Sequence, residues 1–310
     1  MLKYITVGEI NQAAKNPAEF IRACELKYSR MIEDAAKNIL ESSSHKPIIL
    51  LSGPSGSGKT TTAMRIEALL DSWGHDTHTI SLDNYYYRDE NLELPTDDEG
   101  QIDLESPLII DNVLLRRHME MLIEGKTVNV PHFDFVNQRR SERFTPVTRN
   151  NGEIIVIEGI HALNPDVVGD AHSWGTGVYV SVRTRLRDEN GFVLHPSKVR
   201  LLRRLMRDQR GRGQTYIDTI SRLRSVNRGE RMYIMPNKIH ADISLDTFCP
   251  YELGVYRDIL LPGLLSVDPE FMEDSDVSDL APMLRQLETM PMDGIPREAL
   301  VREFIGGGLV

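Results

Sequence analysis

The stretch PIILLSGPSGSGKTTTAMRIEALL, residues 47–70, decides the fold. Ile48 to Leu51 form an unbroken apolar run, as a strand covered on both faces requires. Gly53, Gly58, Lys59 and Thr60 then complete G-x-x-x-x-G-K-T, and an amphipathic helical pattern follows at once. Strand, glycine loop and helix in that order make an anion cradle. Backbone N–H groups of Gly53, Ser55, Gly56, Ser57, Gly58, Lys59, Thr60 and Thr61 are placed to converge on phosphate oxygens. Glycines let the backbone approach without a Cβ in the way. Lys59 is expected to reach the β- and γ-phosphates, and the Thr60 hydroxyl to ligate Mg²⁺. The stretch therefore predicts a nucleoside triphosphate site with Mg²⁺.

Outward from it, strand-like runs recur at 77–82, 154–158, 178–182 and 241–245, with helical patterns at 60–72 and 108–124. Apolar strands alternating with helices predict an α/β fold, a parallel sheet flanked by helices. Residues 1–45 read as an N-terminal helical segment, 46–265 as a P-loop domain of kinase type, and 266–310 as a C-terminal extension packing on it. A basic helix is expected over 197–210.

Two carboxylates narrow the chemistry. THTISLDNYYY, residues 77–87, ends a strand on Asp83, and parallel-sheet sites lie at the carboxyl ends of strands. A carboxylate there can take a proton from an attacking hydroxyl and sit near Mg²⁺, while tyrosines such as Tyr86 wall a pocket. The plain alternative is that Asp83 caps a helix over the residues that follow. EIIVIEGIHALNP, residues 153–165, places Glu158 at the end of another apolar strand, where a metal-side acid belongs. A GTPase is disfavoured: MPNKIHAD, residues 235–242, has His240 where the aspartate of a guanine-reading N-K-x-D would stand. His132, His161 and His240 read as lone structural histidines.

The formal net charge of −10 over 310 residues argues against a general nucleic-acid or anionic-membrane binder. Yet thirteen arginines fall between positions 183 and 231, a local basicity that suits a compact polyanion. Cys24 and Cys249 are the only cysteines and lie far apart, so neither a disulfide framework nor structural zinc is expected. The start of the chain lacks a signal-peptide pattern and no apolar run reaches the ~18–20 residues of a membrane span, so a cytoplasmic location is expected. Homo-oligomerisation is left open.

The set GPSGSGKTTT, SLDNYY, PHFDFVNQRR, IIVIEGIHALNP and RRLMRDQRGRGQT resembles the uridine kinase branch of the uridine kinase/phosphoribulokinase family, over about residues 47–262. It is most similar to members whose chains also carry REFIGG, as residues 302–307 do here. The resemblance implies a P-loop kinase with an Arg-rich helical lid and a small-molecule acceptor. It implies that Asp83 is the general base, with Thr60 and Glu158 completing the metal site. By the same resemblance Asp103 holds ribose hydroxyls, Arg204 and Arg207 reach substrate and ATP phosphates, and Arg212 contacts the nucleotide. Phe133, Gln138 and Arg140 fall in the acceptor pocket. Phe133 stands where the family pattern has a tyrosine, Gln138 where it has a histidine, and Gln214 where R-G-R has its second arginine. A sugar or sugar-phosphate kinase and a nucleotide-binding regulatory protein remain as alternatives.

Overall fold

The computed structural model describes residues 2–87, 95–96, 100, 102–134, 137, 139–211 and 213–309. Gln138 and Arg212, both named above, lie outside the described residues. The chain opens with a short strand, β1 (Tyr4–Thr6), and two helices, α1 (Val7–Ala14) and α2 (Pro17–Ser42). Thr6 starts α1 through a capping box: its hydroxyl accepts from Glu9 N at 3.1 Å, and the Glu9 carboxylate accepts from Thr6 N at 2.7 Å. The glycine-loop stretch then folds as strand β2 (Ile48–Ser52), loop, and helix α3 (Lys59–Ser72).

After these come β3 (Thr77–Ser81), α4 (Asn112–Ile123), β4 (Val128–Asp134), β5 (Arg139–Val147) and β6 (Ile154–Glu158). The next group is α5 (Pro165–Val168), β7 (Gly175–Ser181), β8 (Arg185–Arg187), β9 (Val193–Leu194) and α6 (Pro196–Gly211). Helices α7 (Tyr216–Ser221) and α8 (Leu223–Gly229) lead to β10 (Ile243–Asp246) and α9 (Glu252–Ser266). Three short helices follow: α10 (Pro269–Asp274), α11 (Leu280–Arg285) and α12 (Arg302–Ile305).

Five strands form one parallel sheet in the order β10-β7-β2-β6-β3, and they are the five runs expected from sequence. Successive side chains alternate between its faces. Ile48, Leu50, Ile155 and Ile157 enter one cluster with Leu115, Met119 and Leu122 of α4. Ile49, Leu51, Ile154 and Val156 enter the other with Ile32, Ala35 and Ile39 of α2 and Ile66 and Leu70 of α3. Two covered faces explain why residues 48–51 and 154–157 are apolar at every position. Leu51 and Ser81 both pair with Glu158, so β2, β6 and β3 end level with one another.

A third core lies under α6 and α9. Leu201, Leu202 and Leu205 meet Leu253, Tyr256 and Leu260 there, together with Leu280, Met283, Leu284 and Phe304. Burial of each such aliphatic side chain stabilises by roughly 1.5–3 kcal/mol, so residues 280–305 contribute heavily to this core.

Two elements depart from the sequence expectation. Residues 4–6 form a strand paired with β8, inside a segment expected to be helical throughout. Three residues are too few for a period to show. The antiparallel hairpin β4–β5 also went unread, because RRSERFTPV is almost wholly exposed and carries no alternation of apolar and polar residues. Among the described residues no helix is long and apolar enough to cross a membrane.

Candidate active site

The level ends of β2, β3 and β6 bring the glycine loop, Asp83 and Glu158 to one edge of the sheet. Lys59 opens α3, is half-buried, and turns its ammonium back along the loop toward Pro54 O at 3.4 Å. Thr60 is exposed at the mouth. Ser57 Oγ is enclosed with no hydrogen-bond partner among the described residues. Thr61, expected among the phosphate donors, gives its N–H (3.3 Å) and its hydroxyl (2.6 Å) to the Glu303 carboxylate instead. A carboxylate at the first turn of a helix is the natural companion of its free N–H groups. Leu300 packs on Gly58 at 2.6 Å from where a Cβ would stand, so only glycine fits beneath it.

Asp83 lies in a 3₁₀ turn, Leu82–Tyr85, whose cap is Ser81: the Ser81 hydroxyl accepts from Asp83 N at 3.3 Å. The cap is thus another residue's task, and the Asp83 carboxylate faces the Tyr86 hydroxyl. The three tyrosines separate in function. Tyr85 is core and meets His118 at 2.9 Å, and Tyr87 donates to Asp111 at 3.0 Å. Tyr86 faces the acids, and burial, reinforced by Asp83, raises its pKa well above the ordinary tyrosine value. Its ring meets Phe133 edge-on at 5.5 Å.

Glu158 is 9 % exposed, and burial pushes its carboxyl up to about 7; Lys59 pulls the other way, while Asp83 and Glu303 add to the rise. Two acids that repel each other this way are what a bound cation relieves. With the Thr60 hydroxyl they could offer oxygen ligands to Mg²⁺, an ion that takes few protein ligands and completes its shell with water and phosphate.

Helix α6 lies over the loop. Its arginines divide. Arg203 is fully buried, donates to both Glu252 oxygens at 2.7 and 2.9 Å, and reaches Gly56 O at 3.1 Å and Thr247 O at 2.6 Å. Thr247 in turn donates to Ser57 O at 2.6 Å. Arg200 is buried against Glu230. Arg204 is buried too, and loss of solvation pulls its pKa down to about 10 against the opposing pull of Asp208 and Glu105. Arg207 is half-buried and bonds Asp208 at 3.0 Å. Ser55, Glu105, Arg204, Arg207 and Arg228 line one cleft of about 1260 Å³.

Asp103 is 1 % exposed: Arg228 (2.7 Å) and Tyr233 (3.0 Å) donate to its Oδ2, and Glu105 N donates to Oδ1 at 3.1 Å. Arg140 is engaged away from the loop, by Asp111 at 2.9 Å and Tyr85 O at 2.8 Å, with its guanidinium over the Tyr87 ring. Phe133 N donates to the Asn84 side-chain oxygen at 3.2 Å, which ties the hairpin to the Asp83 turn.

Sequence reasoning missed Arg203, Glu105 and Glu303. Arg203 was one cation in a run of thirteen, and nothing local marks which of them turns inward. Glu105 sits beside Asp103 in IDLESP without a motif of its own. Glu303 lies 242 positions from the residue it binds.

A family model described as the Phosphoribulokinase / Uridine kinase family matches residues 48–250. A uridine kinase from Staphylococcus epidermidis is 32% identical over 197 residues, which is 63% of this chain and 85% of that one. Among solved structures, a putative fructose transport system kinase from Silicibacter is similar at 17% identity and TM-score 0.48, covering 69% of this chain and 98% of that one. A possible uridine kinase from Bacillus stearothermophilus is similar at 17% identity and TM-score 0.47, covering 72% of this chain and 100% of that one.

Proposed function

This chain belongs to the phosphoribulokinase/uridine kinase family, and we propose that it transfers the γ-phosphoryl group of ATP to a hydroxyl of a nucleoside or related polyol, with Mg²⁺. The observation that carries this reading is the pairing of Glu158 with Ser81, which sets Asp83 and Glu158 beside the glycine loop. Lys59 supplies a fixed positive charge for the β- and γ-phosphates, where charge develops during transfer. Bound Mg²⁺, held by Thr60, Asp83 and Glu158, would neutralise phosphate charge. Asp83 accepts the proton of the attacking hydroxyl, and the Tyr86 and Phe133 rings wall the space in front of it. Arg204 and Arg207 stand over the same cleft as donors for phosphate oxygens.

Asp83→Asn keeps the shape and removes the proton acceptor. Its kcat is expected to fall by about 10²-fold or more, with a much smaller change in ATP affinity. An unchanged kcat in a variant that merely melts earlier would reduce Asp83 to a structural residue.

The acceptor pocket also supports a substrate prediction. Phe133 has no hydroxyl, and Gln138 differs from the family histidine in reach and in hydrogen-bonding character. A site that loses its polar partners forfeits discrimination for the group they read. Uridine and cytidine are therefore expected to show kcat/KM at least ~10-fold below the true acceptor, the equivalent of roughly 1.4 kcal/mol of lost contact. Steady-state kinetics across nucleosides, free sugars and sugar phosphates check it; efficient, selective uridine turnover would reverse this reading of the pocket. A sugar-phosphate kinase is the second reading, favoured by Arg222, Arg224 and Arg231 on the outer wall of the cleft, which Asp274 and Asp276 also line.

A further inference from the structure

Glu105 has no part in the assignment above, yet it lines the same cleft as Ser55 and Arg204. Its backbone is held on three sides. Glu105 N donates to Asp103 Oδ1 at 3.1 Å, and Glu105 O meets His161 Nε2 at 2.9 Å. Gly229 of α8 lies against it so closely that a Cβ there would stand 2.2 Å from Glu105 Cβ. Arg228 and Tyr233 fix Asp103 beneath it. Of its carboxyl, Oε2 is enclosed and has no hydrogen-bond partner among the described residues. Burial pushes this carboxyl up to about 7; Arg204 and Lys59 pull it down, and Asp103 and Asp83 push it further up. Those four groups place it within electrostatic reach of the proposed base and of the phosphate-binding lysine. Enclosed polar atoms almost always have partners in folded proteins, so an orphaned carboxyl oxygen at this point of a cleft is set up to receive a donor from a ligand.

We propose that Glu105 is a specificity residue of the acceptor site: its carboxyl accepts a hydrogen bond from a hydroxyl of the phosphoryl acceptor and favours a neutral, hydroxyl-bearing group there over a phosphate ester. The inference rests on the kinase reading above and refines it. A hydroxyl donates to a carboxylate at short range. A phosphate ester dianion has no proton to donate at that point and would set its charge against the carboxyl, which rejects the wrong partner, although Arg204 and Lys59 also act on this group. The sugar-phosphate alternative is thereby disfavoured at the reacting end of the cleft, even though arginines stand on its outer wall.

The test compares wild type, Glu105→Ala and Glu105→Gln with ATP and a panel of uridine, guanosine, D-ribose and ribulose 5-phosphate. On the best neutral acceptor of the wild type, Glu105→Ala is expected to raise acceptor KM at least about tenfold, because a site loses discrimination when a polar partner is removed. The KM for ATP should stay put. Glu105→Gln keeps an acceptor oxygen without the charge, so its acceptor KM should rise less while turnover of ribulose 5-phosphate improves. Neither variant should melt earlier than wild type, since Oε2 has no hydrogen bond among the described residues to lose. Unchanged acceptor KM in both variants, a lowered melting temperature with both KM values unchanged, or a wild type that prefers ribulose 5-phosphate would overturn this inference alone. A wild type that consumes ATP with no acceptor in the panel would overturn the kinase reading and the inference with it.

Discussion

Lys59→Ala should leave a folded protein whose phosphoryl transfer is slower by on the order of 10³-fold, the scale attached to removing a preorganised charge from a developing anion. The fold should survive because among the described residues Lys59 makes a single long bond, 3.4 Å to Pro54 O, and takes no part in the three cores. The site should not. Lys59 opposes the upward shift of both Glu105 and Glu158, so its loss leaves two enclosed acids with less reason to ionise. Nucleotide and metal binding should weaken together. Coupled-assay turnover read beside a melting curve separates lost chemistry from lost structure. Wild-type turnover from a folded Lys59→Ala protein would remove the basis for reading residues 53–60 as a phosphate cradle.

The second large effect is on stability. Arg203 and Glu252 form an ion pair with both side chains fully buried, and the guanidinium also carries Gly56 O and Thr247 O. Arg203→Met would strand the Glu252 carboxylate, since among the described residues only Tyr256 (3.1 Å) and Cys249 N (3.1 Å) would still donate to it. Removing one partner of a buried pair costs about 3–5 kcal/mol, a large share of the roughly 5–15 kcal/mol that holds a domain. The melting temperature should drop by on the order of 10 °C. Pairing Arg203→Met with Glu252→Leu should recover most of the loss, because well-packed apolar residues replace a buried pair at little cost. Equal instability in the double and single variants would show that the bonds to Gly56 and Thr247 matter more than the ion pair.

How far the fold was legible follows from what periodicity can carry. Strands β2 and β6 were the plainest to see, because two covered faces force apolar residues from Ile48 to Leu51 and from Ile154 to Ile157. Helix α6 was visible through its leucines at 201, 202 and 205. Strand β1 and the β4–β5 hairpin were not, being respectively too short and too polar to show a pattern. At the site, sequence order could place Asp83 and Glu158 at strand ends and Lys59 and Thr60 at the opening of the helix after the glycine loop, and the register levels the ends of β2, β6 and β3. It could not reveal that Asp103 is already engaged by Arg228 and Tyr233, or that Arg140 is turned toward Asp111, because those partners depend on packing between distant elements. Thirteen arginines looked alike in sequence. In the structure Arg200, Arg203 and Arg204 are interior while Arg222, Arg224 and Arg231 face solvent.

The contacts of Leu300 and Glu303 with the glycine loop bear on how the protein is made. Thr61 and Glu303 are 242 positions apart, and Arg203 and Gly56 are 147 apart. The loop strand and its helix are therefore synthesised long before the residues that lean on them. At ordinary rates of about 5–20 residues per second, the interval to Glu303 is roughly ten to fifty seconds. Throughout it Gly58 is uncovered and the Thr61 N–H and hydroxyl lack their carboxylate. Contacts of such separation slow folding more than they burden stability, since loop-closure entropy rises by only about 0.6 kcal/mol per doubling of length. A ribosome-bound chain that already carries the whole glycine motif thus still lacks the cover that finishes it until residues 300–303 have been made.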